Sequence, residues 1–111
     1  MTAILTAKAR QLIERGVSEA GDYHHRKVWH SWAQANPDVR GPGQPWEKAA
    51  GRLPTEVIAT ALYVLEYIAR GKRQKLERGH LSEDEISDLD NDLTYIKSLE
   101  RFLLQGVPER V

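Results

Sequence analysis

The sequence lacks cysteine, net charge and a long apolar run, and each absence excludes a class of protein. Without cysteine the chain has no disulfide framework, thiolate nucleophile or cysteine-ligated metal. Its 16 basic and 16 acidic residues balance, so only a local patch would favour nucleic acid or an anionic membrane. The longest apolar stretch, residues 57–69, is too short for a bilayer and contains Glu66. We therefore expect a cytoplasmic protein without a membrane partner.

The remaining composition is typical of one folded domain. The 111 residues are 41% hydrophobic and 29% charged, which is too apolar for a disordered chain. Residues 1–16 carry several charges and no uninterrupted apolar stretch, so we expect no secretory signal. We predict a single domain over residues 1–111. Its parts are N-terminal helices (1–35), a Pro/Gly-rich connection (36–52), a helical hairpin (53–105) and a tail (106–111).

Two helices are predicted in the N-terminal part from apolar residues at helical spacing. The first covers about residues 3–15, and Gly16 is interpreted as its terminator. The second begins at either Ser18 or Asp22, both good caps, and continues to Ala35. Pro37 follows Asn36 and disfavours a helical conformation in it.

The connection 36–52 is rich in proline and glycine, residues that favour turns. Within it, residues 45–51 have a proline at the start and a glycine at the end, which predicts a short helical piece around Trp46.

The C-terminal part predicts an antiparallel helical hairpin. The third helix starts at Pro54 or Thr55 and ends at either Gly71 or Gly79. Its apolar residues cover more than half of its circumference, which predicts a central helix or one that also faces a partner chain, such as a second copy. The fourth helix begins with a capping box at Ser82. We predict an all-α fold, a small bundle of about four helices built on this hairpin.

Opposite charge runs lie on the two sides of the predicted hairpin turn. Cations end the third helix, where they complement its dipole, and carboxylates begin the fourth, so the runs partly neutralise each other. Asp88, Asp90 and Asp92 resemble the start of a calcium-binding loop, but Leu93 and Leu99 occupy the positions that require glycine and glutamate. We therefore predict no metal site.

The histidines give weak support for catalysis. No two of them have the spacing of three or four residues that a helical metal pair requires. General acid–base chemistry by His24 or His25 with Asp22 is an alternative, but no nucleophile or oxyanion-hole motif accompanies it. We expect neither enzymatic activity nor a cofactor.

The leading functional hypothesis is a non-enzymatic protein that binds another protein as a regulator, inhibitor or adaptor. The predicted partner surface is Trp29, Trp32, Arg40 and Trp46, since tryptophan and arginine dominate binding hot spots. The competing interpretation of the tryptophans is a small core that pins the Pro/Gly-rich connection.

The alternative function is a nucleic-acid-binding module or transcriptional regulator that contacts phosphates. The candidate residues are Arg26, Lys27 and His30 in the second helix, and Arg70, Lys72, Arg73 and Lys75 in the third.

Overall fold

A computed structural model describes residues 7–36 and 53–105, and side chains from Lys8 to Asn36 and from Leu53 to Leu104. These ranges contain four helices and no strand: α1 (Ala7–Ala20), α2 (Tyr23–Ala35), α3 (Thr55–Arg78) and α4 (Glu83–Gln105). The predicted all-α bundle is confirmed. The helical piece predicted around Trp46 lies outside the described residues, and the single-domain assignment stays a prediction.

The predicted end of the first helix at Gly16 is wrong. Helix α1 continues through Gly16 to Ala20, because this glycine lies where α1 packs closely against α3. A Cβ atom added at Gly16 would lie 2.8 Å from Cβ of Val64, closer than packed atoms approach. The glycine therefore permits close helix packing and does not terminate the helix. The predicted start near residue 3 lies outside the described residues.

Helix α2 begins after Asp22, which settles the choice between the two predicted caps. The Asp22 side chain accepts a hydrogen bond from the His25 backbone N–H (3.0 Å), and Asp22 N–H donates to Nδ1 of His25 (3.3 Å). This reciprocal pair satisfies two N–H groups that the first turn leaves open. The helix ends at Ala35, as predicted. The backbone N–H of the next residue, Asn36, donates a hydrogen bond to the carbonyl of Trp32.

The predicted hairpin is confirmed, and α3 passes Gly71 and ends at Arg78. Gly79 (φ 75°) and His80 (φ 62°) turn the chain with left-handed backbone conformations. The predicted capping box opens α4: Glu85 N–H donates to Oγ of Ser82, and Ser82 N–H donates to Oε1 of Glu85, each at 3.2 Å.

Helix α3 is the centre of the bundle and packs against α1, α2 and α4. This position explains its broad apolar face, since three neighbours bury it. The buried residues of α3 are Val57, Ile58, Thr60, Ala61, Val64, Leu65, Ile68 and Ala69. No helix in the described part of the chain is long and apolar enough to cross a membrane.

Candidate interaction surface on helix α3

Two tyrosines on α3 remain exposed beside this buried face. Tyr63 and Tyr67 are 54% and 49% exposed, although both lie within the most apolar part of the sequence. They are four residues apart and therefore neighbours on one side of the helix. We call this pair the tyrosine stripe.

The ring of Tyr63 is held by a histidine on α2. The rings of His25 and Tyr63 stack with their centroids 4.6 Å apart and an angle of 19° between their planes. His25 is itself positioned by Asp22 through this reciprocal cap. The hydrogen bond from the His25 backbone N–H, supported by attraction to His25, lowers the pKa of Asp22. The start of α2 therefore orients a tyrosine that is half exposed.

Tyr67 borders a cleft of about 480 Å³ between α1 and α3, which we call the α1–α3 cleft. Gly71 also lines it, and a Cβ atom added there would meet no atom within 4 Å. The missing side chain thus leaves the cleft open. The charged lining residues are Arg15, Glu19, Arg70, Lys72 and Lys75.

Some of these cations already have a carboxylate partner. Arg15 Nε lies 3.0 Å from Glu19, and Lys72 Nζ lies 2.9 Å from Asp92 on α4. The Lys72–Asp92 pair confirms that the opposite charge runs meet across the hairpin.

Neutralisation across the hairpin is limited, because among the described residues no other cation of the basic run forms an ion pair with α4. Arg73 pairs with Glu66 on its own helix. Within the described residues, Arg70 and Lys75 form no ion pair. As far as the described residues show, the cleft therefore keeps two cations, Arg70 and Lys75, without an ion-pair partner.

Two of the tryptophans predicted to form a partner surface are buried in the core. Trp29 is 0% exposed and Trp32 is 7% exposed, and their ring centroids lie 5.3 Å apart. Arg10 covers Trp32 and donates hydrogen bonds to the carbonyls of Ala33 and Asn36. In this conformation the two indoles present almost no surface to a partner. The other two predicted residues, Arg40 and Trp46, lie outside the described ranges.

The cations predicted for nucleic-acid binding are spread over two helices. Arg26, Lys27 and His30 are all exposed on α2, whereas the others belong to α3.

The rings of His24 and His25, the histidines considered for acid–base chemistry, lie 6.0 Å apart. In the ranges that the structure describes, no three histidine, aspartate or glutamate side chains are grouped to hold a metal ion.

Sequence patterns alone identified neither the tyrosine stripe nor the α1–α3 cleft that Gly71 lines. The available signal was the four-residue spacing of two amphipathic rings within an apolar helix. Their exposure, however, depends on where α1 and α2 pack. Comparison with protein-family models, curated proteins and solved structures found no match to this chain.

Proposed function

We propose that the protein acts by binding another protein, as a small regulator, inhibitor or adaptor, and that the tyrosine stripe contacts the partner. The observation that carries this proposal is that Tyr63 and Tyr67 are half exposed side by side on the central helix. A cytoplasmic location belongs to the same proposal and is supported by the absence of cysteine.

Tyrosine suits such a contact because its ring supplies a large apolar area while its hydroxyl still forms a polar contact. Anchor residues of this kind cost about 2 kcal/mol or more of binding free energy when they are truncated to alanine. Stacking on His25 restricts the ring of Tyr63 before binding. Less side-chain entropy is then lost when a partner binds.

The test compares Tyr63→Ala/Tyr67→Ala with the wild-type chain in affinity capture followed by quantitative mass spectrometry. Tyr23→Ala is the matched control, since Tyr23 is 79% exposed and points away from His25, which lies two residues further along α2. We expect a specific partner to be captured by wild type and control. The double variant should capture it at least about tenfold less.

Equal capture of that partner by wild type and double variant would refute the role of the stripe. Circular dichroism must show that the variants keep the helical fold. Because both rings are about half exposed, we expect only a small change in unfolding temperature.

Homodimerisation through α3, the other prediction from its broad apolar face, has less support now that three neighbouring helices bury that face. The tyrosine stripe is the exposed apolar surface of α3 through which two copies could still pair. Light scattering on wild type and the double variant tests it: a dimer that dissociates on loss of both tyrosines and resists high salt would identify the partner as a second copy.

Nucleic-acid binding is the second candidate, supported by the exposed cluster of Arg26, Lys27 and His30 on α2. It requires salt-dependent binding of duplex DNA, measured by fluorescence anisotropy. Arg26→Gln/Lys27→Gln should weaken that binding and reduce its salt slope. No binding at low salt would exclude this candidate. The carboxylates among the cations of α3 disfavour a continuous phosphate track there.

A further inference from the structure

The hairpin carries two exposed surfaces of opposite charge. One is the α1–α3 cleft, where Arg70 and Lys75 have no ion-pair partner among the described residues. The other is the start of α4, where Asp84 and Asp88 are exposed and likewise outside any ion pair in the described ranges. These two aspartates are four residues apart and share a side of the helix. We call them the aspartate pair.

The two surfaces lie at the same end of the hairpin. Asp92 continues the aspartate pair by four more residues and contacts Lys72, which lines the cleft. Apart from this contact, the two surfaces keep their charges: within the described ranges, no ion pair involves Asp84, Asp88, Arg70 or Lys75. Since the chain has no net charge, two copies approach each other without long-range repulsion.

We propose that the α1–α3 cleft of one molecule receives the aspartate pair of a second copy. Because each copy carries both surfaces at one end, a two-fold arrangement forms the contact twice. The cleft holds about 480 Å³ and lacks a side chain at Gly71, which leaves room for two aspartate side chains. This inference goes beyond the proposed function, since it uses neither Tyr63 nor another protein.

Charge complementarity favours a second copy over a nucleic acid. Glu19 lines the cleft, and Asp92 lies against Lys72 beside it, so a run of phosphates across the cleft would meet two carboxylates. The aspartate pair brings only two carboxylates, matching the two cations Arg70 and Lys75, whereas a nucleic acid brings a continuous run of charges. The partner of opposite charge that the sequence itself provides is the start of α4.

The first measurement is the molar mass in solution by light scattering and sedimentation equilibrium at low and high salt. Contacts between exposed charges are weak, so the protein should be studied at concentrations up to about 1 mM. Screening acts over about 30 Å at 0.01 M salt and about 3 Å at 1 M. We expect a dimer at the low salt concentration and a monomer at the high one.

The decisive measurement exchanges the charges. Arg70→Glu/Lys75→Glu and Asp84→Lys/Asp88→Lys should each weaken dimerisation at low salt by about tenfold or more. An equimolar mixture of the two variants should restore a dimer, because the reversed surfaces are again complementary. Lys97→Glu/Arg101→Glu is the matched control: it makes the same charge change on exposed residues of α4 outside the cleft.

Three results would overturn this proposal: a wild-type monomer at low salt and high concentration, a dimer unaffected by either charge reversal, or no restored dimer on mixing. Circular dichroism on each variant separates loss of the contact from loss of the fold. Capture of another protein through the tyrosine stripe is measured separately, so failure of either proposal leaves the other standing.

Discussion

At the scale of single residues, two glycines inside helices have opposite reasons for being glycine. Gly16 allows α1 to approach α3, whereas Gly71 has open space around it. Gly16→Ala should lower the free energy of unfolding, because overpacking costs about 1–3 kcal/mol and Cβ of Val64, fixed to its backbone, cannot rotate away. Gly71→Ala should raise it by about 0.5–1 kcal/mol, the helix preference of alanine. Urea denaturation of both variants measures these changes.

The two substitutions control for each other, since each replaces a helical glycine by alanine. A stabilised Gly16→Ala variant would mean that α1 and α3 do not pack as closely as described. Sequence alone does not distinguish these sites, because both Gly16 and Gly71 were interpreted as possible helix ends. In the structure both lie inside a helix, and only Gly16 is a packing contact. The difference lies in the neighbouring helix, which no local pattern reports.

Glu100 gives a prediction for the pH dependence of stability. Burial raises the pKa of Glu100 and repulsion by Glu66 raises it further, while Arg73 opposes the change. A carboxyl whose folded pKa is raised contributes stability that is complete below its usual pKa of 4.5 and is lost as the pH rises through the folded value. Glu100→Gln should therefore remove this loss and stabilise the protein at neutral pH.

Unfolding temperatures between pH 4 and pH 7 test this prediction for wild type and Glu100→Gln. The difference between the two proteins should grow as the pH rises. Glu77→Gln is the control, because Glu77 is exposed on α3. A constant difference for Glu100→Gln across the range would show that ionisation of Glu100 does not destabilise the fold.

At the scale of elements, the turn between α3 and α4 depends on one glycine. Gly79 has φ 75° and ψ −164°, a region that is almost restricted to glycine. Gly79→Ala should therefore lower the free energy of unfolding by about 1–3 kcal/mol, measured by urea denaturation. His80→Gly is the matched comparison, because glycine adopts the φ of 62° without strain. An unchanged Gly79→Ala variant would contradict this turn geometry.

The caps and the turn show which parts of an element can be predicted locally. The Ser82 box was predicted because Ser82 and Glu85 bond each other within one turn. The sequence did not decide whether α3 ends at Gly71 or at Gly79, because either glycine fits a helix end. In the structure α3 passes Gly71 and ends at Arg78, and Lys72, directly after Gly71, binds Asp92 on α4.

At the scale of the whole molecule, the apolar width of α3 predicts the position of this helix but not which of its residues are exposed. Its apolar width predicts a central position or a face for a partner chain, and packing against α1, α2 and α4 shows the central position. The same width conceals Tyr63 and Tyr67, which look like core residues until the neighbours are placed. Conversely, Trp29 and Trp32 were proposed as a partner surface, yet α2 turns them into the core. Exposure is a tertiary property, so helical periodicity gives the fold more readily than the site.

The central position of α3 also predicts that the described helices unfold as one unit. Leu65 is fully buried in this helix, so Leu65→Ala should lower the free energy of unfolding by about 2–5 kcal/mol. Because α3 contacts the other three helices, tryptophan fluorescence and circular dichroism should give the same urea midpoint, and the substitution should move both equally. Separate transitions would divide α1 and α2 from the hairpin and refute the single-domain prediction. Coincident transitions in a Trp46→Phe background would support it, since the remaining indoles, Trp29 and Trp32, report on α2 whereas circular dichroism reports on all the helices.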